Sequence, residues 1–418
     1  MNTSKICSLP SRSCLRICPS VRPLRPGSSD AGRGAFSDGI VAAGCVIEHV
    51  PAAFFVFRGI PATRTSARFR LILTLVCALS MASPLGAELG DDVPTSGPAP
   101  IRSAWAKPVP ERSGSAGEMR DAIGPGARVL RTAHFLIAHT VDVHAARLLA
   151  QRLEAVYRAH ARFVSNLALP VRPPPNKLEV YYLATHEQYG RVVSGAIGRA
   201  ATEALGLYAP ASNRAAFFDL TTYSAVKALR EELSQCEPGR RERLQQRLER
   251  RLAVLMSCVI QHEAAHQIQR NTGLIPAEGG TPMWLVEGMA MLFEGPIESS
   301  DDLVVPYNGY RLHEFRKIYG RAAPSLDEVR RFVSDDRAWG GGTCYPLAWA
   351  LTHHLLEEHR KGFVALLTSL TTGDGLPPVP SARLQRFEAL FGPLNDRWLE
   401  DFYESTMSLR VRESVFED

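Results

Sequence analysis

The chain has 418 residues, 45% of them hydrophobic and 22% charged, which is typical of a globular protein with room for two or three lobes. Its net charge of +5 comes entirely from the first 70 residues, which hold ten Lys and Arg against three Asp and Glu. The rest is close to neutral, so we expect no nucleic-acid partner.

The N-terminal part of the sequence predicts an exported protein. Residues 1–66 are rich in Arg, Pro, Ser, Gly and Cys without a helical or strand period, and we expect them to be unstructured or an upstream extension of the true start. Residues 67–87 have charged residues, a short apolar stretch and small residues in the order of a secretory signal peptide. Translation is then expected to begin within about twenty residues before Arg68.

This signal predicts a secreted or periplasmic location and no stable membrane span after cleavage. Its apolar stretch, residues 71–81, is too short to cross a bilayer. Five of the eight cysteines lie upstream of the cleavage region, which leaves Cys236, Cys258 and Cys344. Three cysteines are too few for a disulfide scaffold, so stability must come from a hydrophobic core.

Ordered structure is expected to begin after a linker. Residues 88–127 are dense in Pro, Gly and Ser and predict a linker. Residues 128–225 predict an α/β N-terminal lobe: a strand in "RVLRTAHFLIAHT", an amphipathic helix, a strand in "NKLEVYYLAT" and a hairpin. We expect the second hairpin strand, Arg214 to Leu220, to form the sheet edge and to hold an extended substrate.

Residues 226–418 predict a helical lobe. The segments are long, rich in Leu, Arg and Glu, and separated by Gly or Pro. The run "REELSQCEPGRRERLQQRLERRL" is charged almost all round, which predicts a solvated helix rather than a binding patch.

The stretch "CVIQHEAAHQIQ" contains the pattern H-E-x-x-H. On a helix, His262 and His266 lie one turn apart on the same face, so both imidazoles can reach one metal ion with Glu263 beside them. A pattern of five residues also arises by chance, so a third ligand is needed to support a zinc site.

A second helix supplies that ligand. In "GGTPMWLVEGMAMLFEG", Thr281 suits the N-cap and Pro282 the first helical position. Glu287 then lies about twenty residues beyond His266, and Gly288 would let this helix approach the first one closely. Two histidines and one glutamate leave a fourth zinc position open for water, as a catalytic site requires.

"HEAAH" followed by "PMWLVEGMAMLFE" resembles the gluzincin clan of zinc metallopeptidases, especially peptidase MA-like families in which a P-x-W-L-x-E-G-x-A segment supplies the third ligand. Looser similarity to uncharacterised secreted bacterial members extends from about Arg128 to the end. The resemblance implies His262, His266 and Glu287 as ligands. A metzincin would instead need Gly and His where this chain has Gln269 and Thr272.

The resemblance also implies Glu263 as general base and a Tyr or His as donor to the oxyanion. Tyr345, at the start of the segment "YPLAWALTHHLLEEH", is the preferred oxyanion donor, and Tyr310, Tyr319 and His313 are its competitors.

The expected fold is α+β and zincin-like, with a small N-terminal sheet lobe over an active-site helix and a helical C-terminal lobe. The expected function is zinc-dependent hydrolysis of peptide bonds outside the cytoplasm by a zinc-bound water that Glu263 activates. A zinc amidase acting on cell-wall peptide and a non-catalytic zinc-containing binding module remain as alternatives.

Overall fold

The computed structural model describes residues 103–197, 202–276, 280–295, 308–340, 342–373 and 375–410. The expected upstream extension, the signal peptide and the first part of the expected linker lie outside the described residues. Within the described ranges no helix is both long and apolar enough to cross a membrane.

The segment expected to be a linker belongs to the fold from residue 103 onwards. Ser103–Ala106 forms a 3-10 turn and Ser115–Ile123 forms helix α1. Trp105 and Met119 are buried, and Trp105 lies against the rings of Tyr157 and His160. The Pro- and Gly-rich composition conceals these two apolar anchors, because a few buried side chains suffice to hold a short segment on a larger core.

One mixed sheet of five strands forms the centre of the N-terminal half. Its order is β1-β2-β3-β5-β4, with β2, β3 and β5 parallel and the two outer strands antiparallel to their neighbours. The strands are β1 Arg128–Arg131, β2 Phe135–His139, β3 Leu178–Leu183, β4 Gly206–Ala209 and β5 Arg214–Phe218.

Two strand predictions were wrong in detail. The first predicted strand is two strands, because Thr132 closes a tight turn by accepting the Phe135 N–H on its hydroxyl. The hairpin is confirmed, but its second strand, β5, lies inside the sheet between β3 and β4. β5 pairs with β3 on one side and with β4 on the other, so the edge strand at this end of the sheet is β4.

Helices cover both faces of this sheet. Helix α2 (Val143–Asn166), whose N-cap Asp142 accepts the N–H groups of His144 and Ala145, packs on β2, and α3 (His186–Ile197) packs on the opposite face. The opposite faces are marked by successive residues of β5: Phe218 contacts the α3 rings, and Phe217 lies beside the helix that carries the H-E-x-x-H pattern.

The rest of the described chain is helical, as predicted. The remaining helices are α4 Ser224–Ser234, α5 Pro238–Asn271, α6 Met283–Met291, α7 Gly309–Tyr319, α8 Leu326–Ser334, α9 Cys344–Glu358, α10 Arg360–Thr371, α11 Pro380–Phe391 and α12 Asp396–Ser408. One sheet followed by a largely helical half confirms the α+β class. The three cysteines of the described chain are free thiols.

Candidate metal centre

Helix α5 carries the H-E-x-x-H pattern at its buried end. Pro238 opens the helix, and the charged first half is mainly exposed, as the composition predicts. From Val259 to Gln269 every residue is buried. The helix ends at Asn271, and Gly273 adopts the left-handed conformation that a terminating glycine favours.

Helix α6 begins one position later than its sequence predicts. Pro282 is extended and stands at the N-cap, so Met283 is the first helical residue. The Met283 N–H is bound by the Asp336 carboxylate, 2.9 Å away. Thr281 therefore does not cap this helix, because an acidic side chain from the C-terminal half satisfies the amide instead.

Gly288 has a different neighbour from the expected one. A Cβ atom added there would lie 2.0 Å from Thr352 Oγ1 and 2.8 Å from the Ala348 carbonyl oxygen, both in α9. The glycine thus permits close approach of α6 to α9, and not to α5 as expected. Helix α6 is held between the two.

The structure brings His262, His266 and Glu287 together. The two Nε2 atoms are 3.0 Å apart, and Glu287 Oε2 lies 3.2 Å from His262 Nε2 and 3.6 Å from His266 Nε2. Tetrahedral zinc at its usual bond lengths places neighbouring ligand atoms about 3.3 to 3.5 Å apart. All three residues are buried, and they could hold a metal ion.

Electrostatics keep Glu287 ionised in this buried position. Burial alone would raise the pKa of Glu287, but the charges of His266 and His262 and their hydrogen bonds hold it below its usual range. One carboxylate and two imidazoles are a donor set that zinc uses in proteins.

Glu263 is fully buried beside the three candidate ligands. Its Oε2 accepts the backbone N–H of Tyr208 in β4 at 2.7 Å, while Oε1 has no hydrogen-bond partner among the described residues. Burial raises the pKa of Glu263 to about 7, with His262 and His266 lowering it and Glu287 raising it. A carboxyl group with this pKa can both take and return a proton near neutral pH.

Glu294 holds the His262 ring on the side away from the other two candidate ligands, and we call this contact the brace of His262. The Nδ1 atom of His262 lies 2.8 Å from Glu294 Oε1, so the ring presents Nε2 to the other two ligands. Arg311 donates to both Glu294 oxygens at 2.7 Å, and Asn308 donates to Oε2 at 2.7 Å. Burial would raise the pKa of Glu294, but Arg311 and His262 bring it to about 2.

Sequence reasoning assigned no role to Glu294. Arg311 proves to bind this carboxylate. Glu294 stands seven residues after Glu287, but α6 ends at Met291, so the helical period does not predict where Glu294 lies.

Two glutamines tie the second helix to the first. Gln261 donates to the carbonyl oxygens of Phe293 and Gly295, and Gln269 donates to the Met289 carbonyl. These bonds flank the histidines on α5 and attach to it the chain from Met289 to Gly295, which directly follows Glu287.

The candidate oxyanion donors occupy different surroundings. Tyr345 is buried at the start of α9, with its ring 5.3 Å from the Arg311 guanidinium, and Arg311 also lies over the Tyr310 ring. Tyr319 donates its hydroxyl to Glu328, and His313 is half-buried on α7. Tyr345 and Tyr310 thus both contact Arg311, the residue that binds Glu294 behind His262. The Tyr319 hydroxyl is instead bound to Glu328.

A protein-family model matches part of the chain. Residues 256–377 match the model of a family described as a protein of unknown function (DUF1570), and this family is known to resemble gluzincin-like peptidases. The matched region includes His262, Glu263, His266, Glu287 and Tyr345. No curated protein matches the chain.

Proposed function

We propose that the protein is a zinc metallopeptidase that hydrolyses peptide bonds outside the cytoplasm. The observation that carries the proposal is the convergence of three buried donor atoms from α5 and α6 beside a buried carboxyl group, Glu263, whose pKa is raised to about 7. Two imidazoles and one carboxylate are a ligand set of catalytic zinc sites.

Each side chain has a defined task in this proposal. His262, His266 and Glu287 would hold the zinc, which supplies Lewis-acid polarisation and a nucleophilic water when bound. Glu263 takes the proton of the attacking water and returns it to the departing nitrogen. Tyr345 donates its hydroxyl proton to the charge that develops on the carbonyl oxygen.

The number of ligands favours catalysis over a structural metal. Structural zinc sites are usually closed by four protein ligands. In the part of the chain that the structure describes, the candidate group contains three His, Cys, Asp or Glu side chains, so one position stays open. Glu263 also has an oxygen with no hydrogen-bond partner among those residues, which a silent metal site would not require.

Location outside the cytoplasm is part of the proposal and rests on the charged, apolar and small residues of positions 67–87. Mass spectrometry of the native precursor tests the expected start. Peptides from "ICSLPSR" would contradict a start shortly before Arg68.

The proposed chemistry is tested by casein zymography with and without a zinc chelator, beside digestion of purified cell wall. A zinc peptidase clears casein and stops when the metal is removed. Cell-wall cleavage without casein cleavage would indicate the amidase, and a zinc-loaded protein inactive on both would indicate the binding module.

A further inference from the structure

The C-terminal part of helix α5, from Val259 to Asn271, presents one row of side chains to the β4–β5 hairpin and its neighbouring strand. The members of this row are spaced by four residues, about one helical turn, so they lie on one face of the helix. They are Val259, Glu263, Gln267 and Asn271. The general base of the proposed reaction is therefore also one of the residues by which the helix meets the sheet.

Strand β4 and helix α5 run side by side in step. A Cβ atom added to Gly206 would lie 2.6 Å from Val259 Cγ1, so the strand approaches the helix as closely as a glycine permits. Two residues later, the Tyr208 N–H reaches Glu263. Two strand residues advance about 6.6 Å and four helix residues about 6 Å, so the contacts keep pace.

The last residue of the row, Asn271, is hydrogen-bonded to Asn213 in the turn between β4 and β5, and we call this contact the clasp. Asn213 and Asn271 exchange side-chain hydrogen bonds at 2.8 and 2.7 Å, and Asn213 also accepts the Tyr208 hydroxyl. Gln267 donates to the backbone oxygens of Asn213 and Glu179. Asn213 has a positive φ of 57°, a conformation that asparagine tolerates in turns.

The Tyr208 amide would otherwise be a free edge group. β4 is the last strand of the sheet, and this N–H points to Glu263 and away from β5. Such amides commonly bind an extended peptide by strand addition. Here a buried carboxylate oxygen takes the amide at 2.7 Å, a short distance that is typical of a charge-assisted bond.

We propose that the Tyr208 backbone N–H is a positioning group for Glu263, and that the clasp between Asn213 and Asn271 holds the strand in place for it. The amide fixes Oε2 and so orients Oε1 as the oxygen that takes the proton. This inference rests on the proposed function. It adds that the sheet edge serves the general base at Tyr208 and does not pair with substrate there.

Tyr208→Pro removes the backbone N–H that Glu263 accepts. Proline is tolerated on edge strands where its nitrogen faces away from the ladder. Tyr208→Pro is therefore compared with Tyr208→Leu, which also loses the side chain but keeps the amide. Any loss common to both variants belongs to the side chain and its bond to Asn213.

With a peptide substrate and the zinc-loaded enzyme, kcat of Tyr208→Pro is expected to be about 10- to 100-fold below that of Tyr208→Leu, the size found for groups that orient a functional residue. KM should agree within about threefold and zinc content should be equal. Equal kcat values would overturn the proposal. A raised KM at unchanged kcat would also overturn it, because the amide would then bind substrate.

A second measurement needs neither zinc nor activity. In protein labelled with 15N-tyrosine, the Tyr208 amide should exchange slowly with solvent, and at least about tenfold faster in Glu263→Ala. The Tyr181 and Tyr182 amides of β3 should keep their rates and report an intact sheet. An unchanged Tyr208 rate would overturn the proposal even if Tyr208→Pro failed to fold.

This measurement also separates the two levels of inference. Inactivity of the parent on every peptide would remove the proposed function. The exchange rate would still show whether Glu263 holds the edge-strand amide.

Discussion

Glu294 binds the His262 imidazole and the Arg311 guanidinium at one oxygen. His262 Nδ1 and Arg311 Nη2 both lie within 2.8 Å of Oε1, and Asn308 binds Oε2. A carboxylate fixed from three sides cannot turn away from His262. The His262 ring is held in turn, so its Nε2 atom faces His266 and Glu287.

Removal of this brace should weaken metal binding. We expect Glu294→Ala to lower zinc affinity by about 10- to 100-fold, measured by competition with a chromophoric chelator. Glu294→Gln keeps an acceptor for His262 and should lose less. Glu249→Ala, on the exposed part of α5, is the control, and equal affinity in Glu294→Ala and this control would contradict the role of the brace.

The role of Tyr345 as oxyanion donor is tested by removing only its hydroxyl group. Tyr345→Phe should lower kcat by about two to three powers of ten with little change in KM, the size of one lost oxyanion donor. Tyr319→Phe is the matched control, because its hydroxyl is bound to Glu328. Turnover of Tyr345→Phe near that of the parent would contradict this assignment and direct attention to Tyr310 and His313.

At the scale of secondary-structure elements, α6 is a short helix whose position depends on both of its neighbours. Gln261 and Gln269 attach its segment to α5 by bonds to backbone carbonyl groups. On the other side, Gly288 leaves room for Thr352 of α9. Glu287 is therefore placed by packing of the whole helix, and not by its own contacts alone.

A methyl group at position 288 should disturb this packing. Gly288→Ala would place Cβ within 3 Å of Thr352 and the Ala348 carbonyl, and overpacking of this kind costs about 1 to 3 kcal/mol. We expect a lower free energy of unfolding in urea and weaker zinc binding. Gly117→Ala in α1, where a Cβ meets nothing within 4 Å, should be neutral or slightly stabilising. Equal effects of the two substitutions would contradict the close contact.

At the scale of the whole molecule, burial keeps several histidines outside the metal centre neutral. Burial lowers the pKa of His160 and of His354 to about 3, and that of His353 to about 4. His160 lies between the rings of Trp105 and Phe293, so it joins the N-terminal segment to the chain after α6. Protonation of these residues favours the unfolded chain.

Stability should therefore fall on the acid side. The contribution is complete above pH 6.5, the ordinary pKa of histidine, and is lost as the pH falls towards about 3 for His160. Each group adds up to about 1.4 kcal/mol per pH unit. His160→Phe should have a shallower loss of unfolding free energy between pH 6.5 and 4.5 than the parent. His144→Gln, at an exposed position, should follow the parent, and identical slopes in all three proteins would contradict the prediction.

The sequence predicts those parts of the site that depend on local spacing. His262 and His266 are one helical turn apart, so any helix brings them together, and the helical segment after "GGTP" predicts Glu287. The contacts of Glu263 with Tyr208 and of His262 with Glu294 join residues 55 and 32 positions apart. Their partners are set by strand order and by the turn after α6, which no local period encodes.

The same limit explains the errors in the fold. The order of strands in a sheet depends on which strand pairs with β3, so the pattern of β5 alone does not tell an edge strand from an inner one. Gly288 was correctly expected to mark a close helix contact, but residue type does not say which helix fills the space.

The most direct test of a catalytic zinc centre is zinc content and peptide hydrolysis measured together for the parent and Glu263→Gln. Glu263 does not belong to the three candidate ligands, so Glu263→Gln should keep its zinc and its fold and lose nearly all hydrolysis. His262→Ala and Glu287→Ala should lose the metal as well as the activity. Hydrolysis by zinc-loaded Glu263→Gln at a rate close to that of the parent would contradict the proposed mechanism.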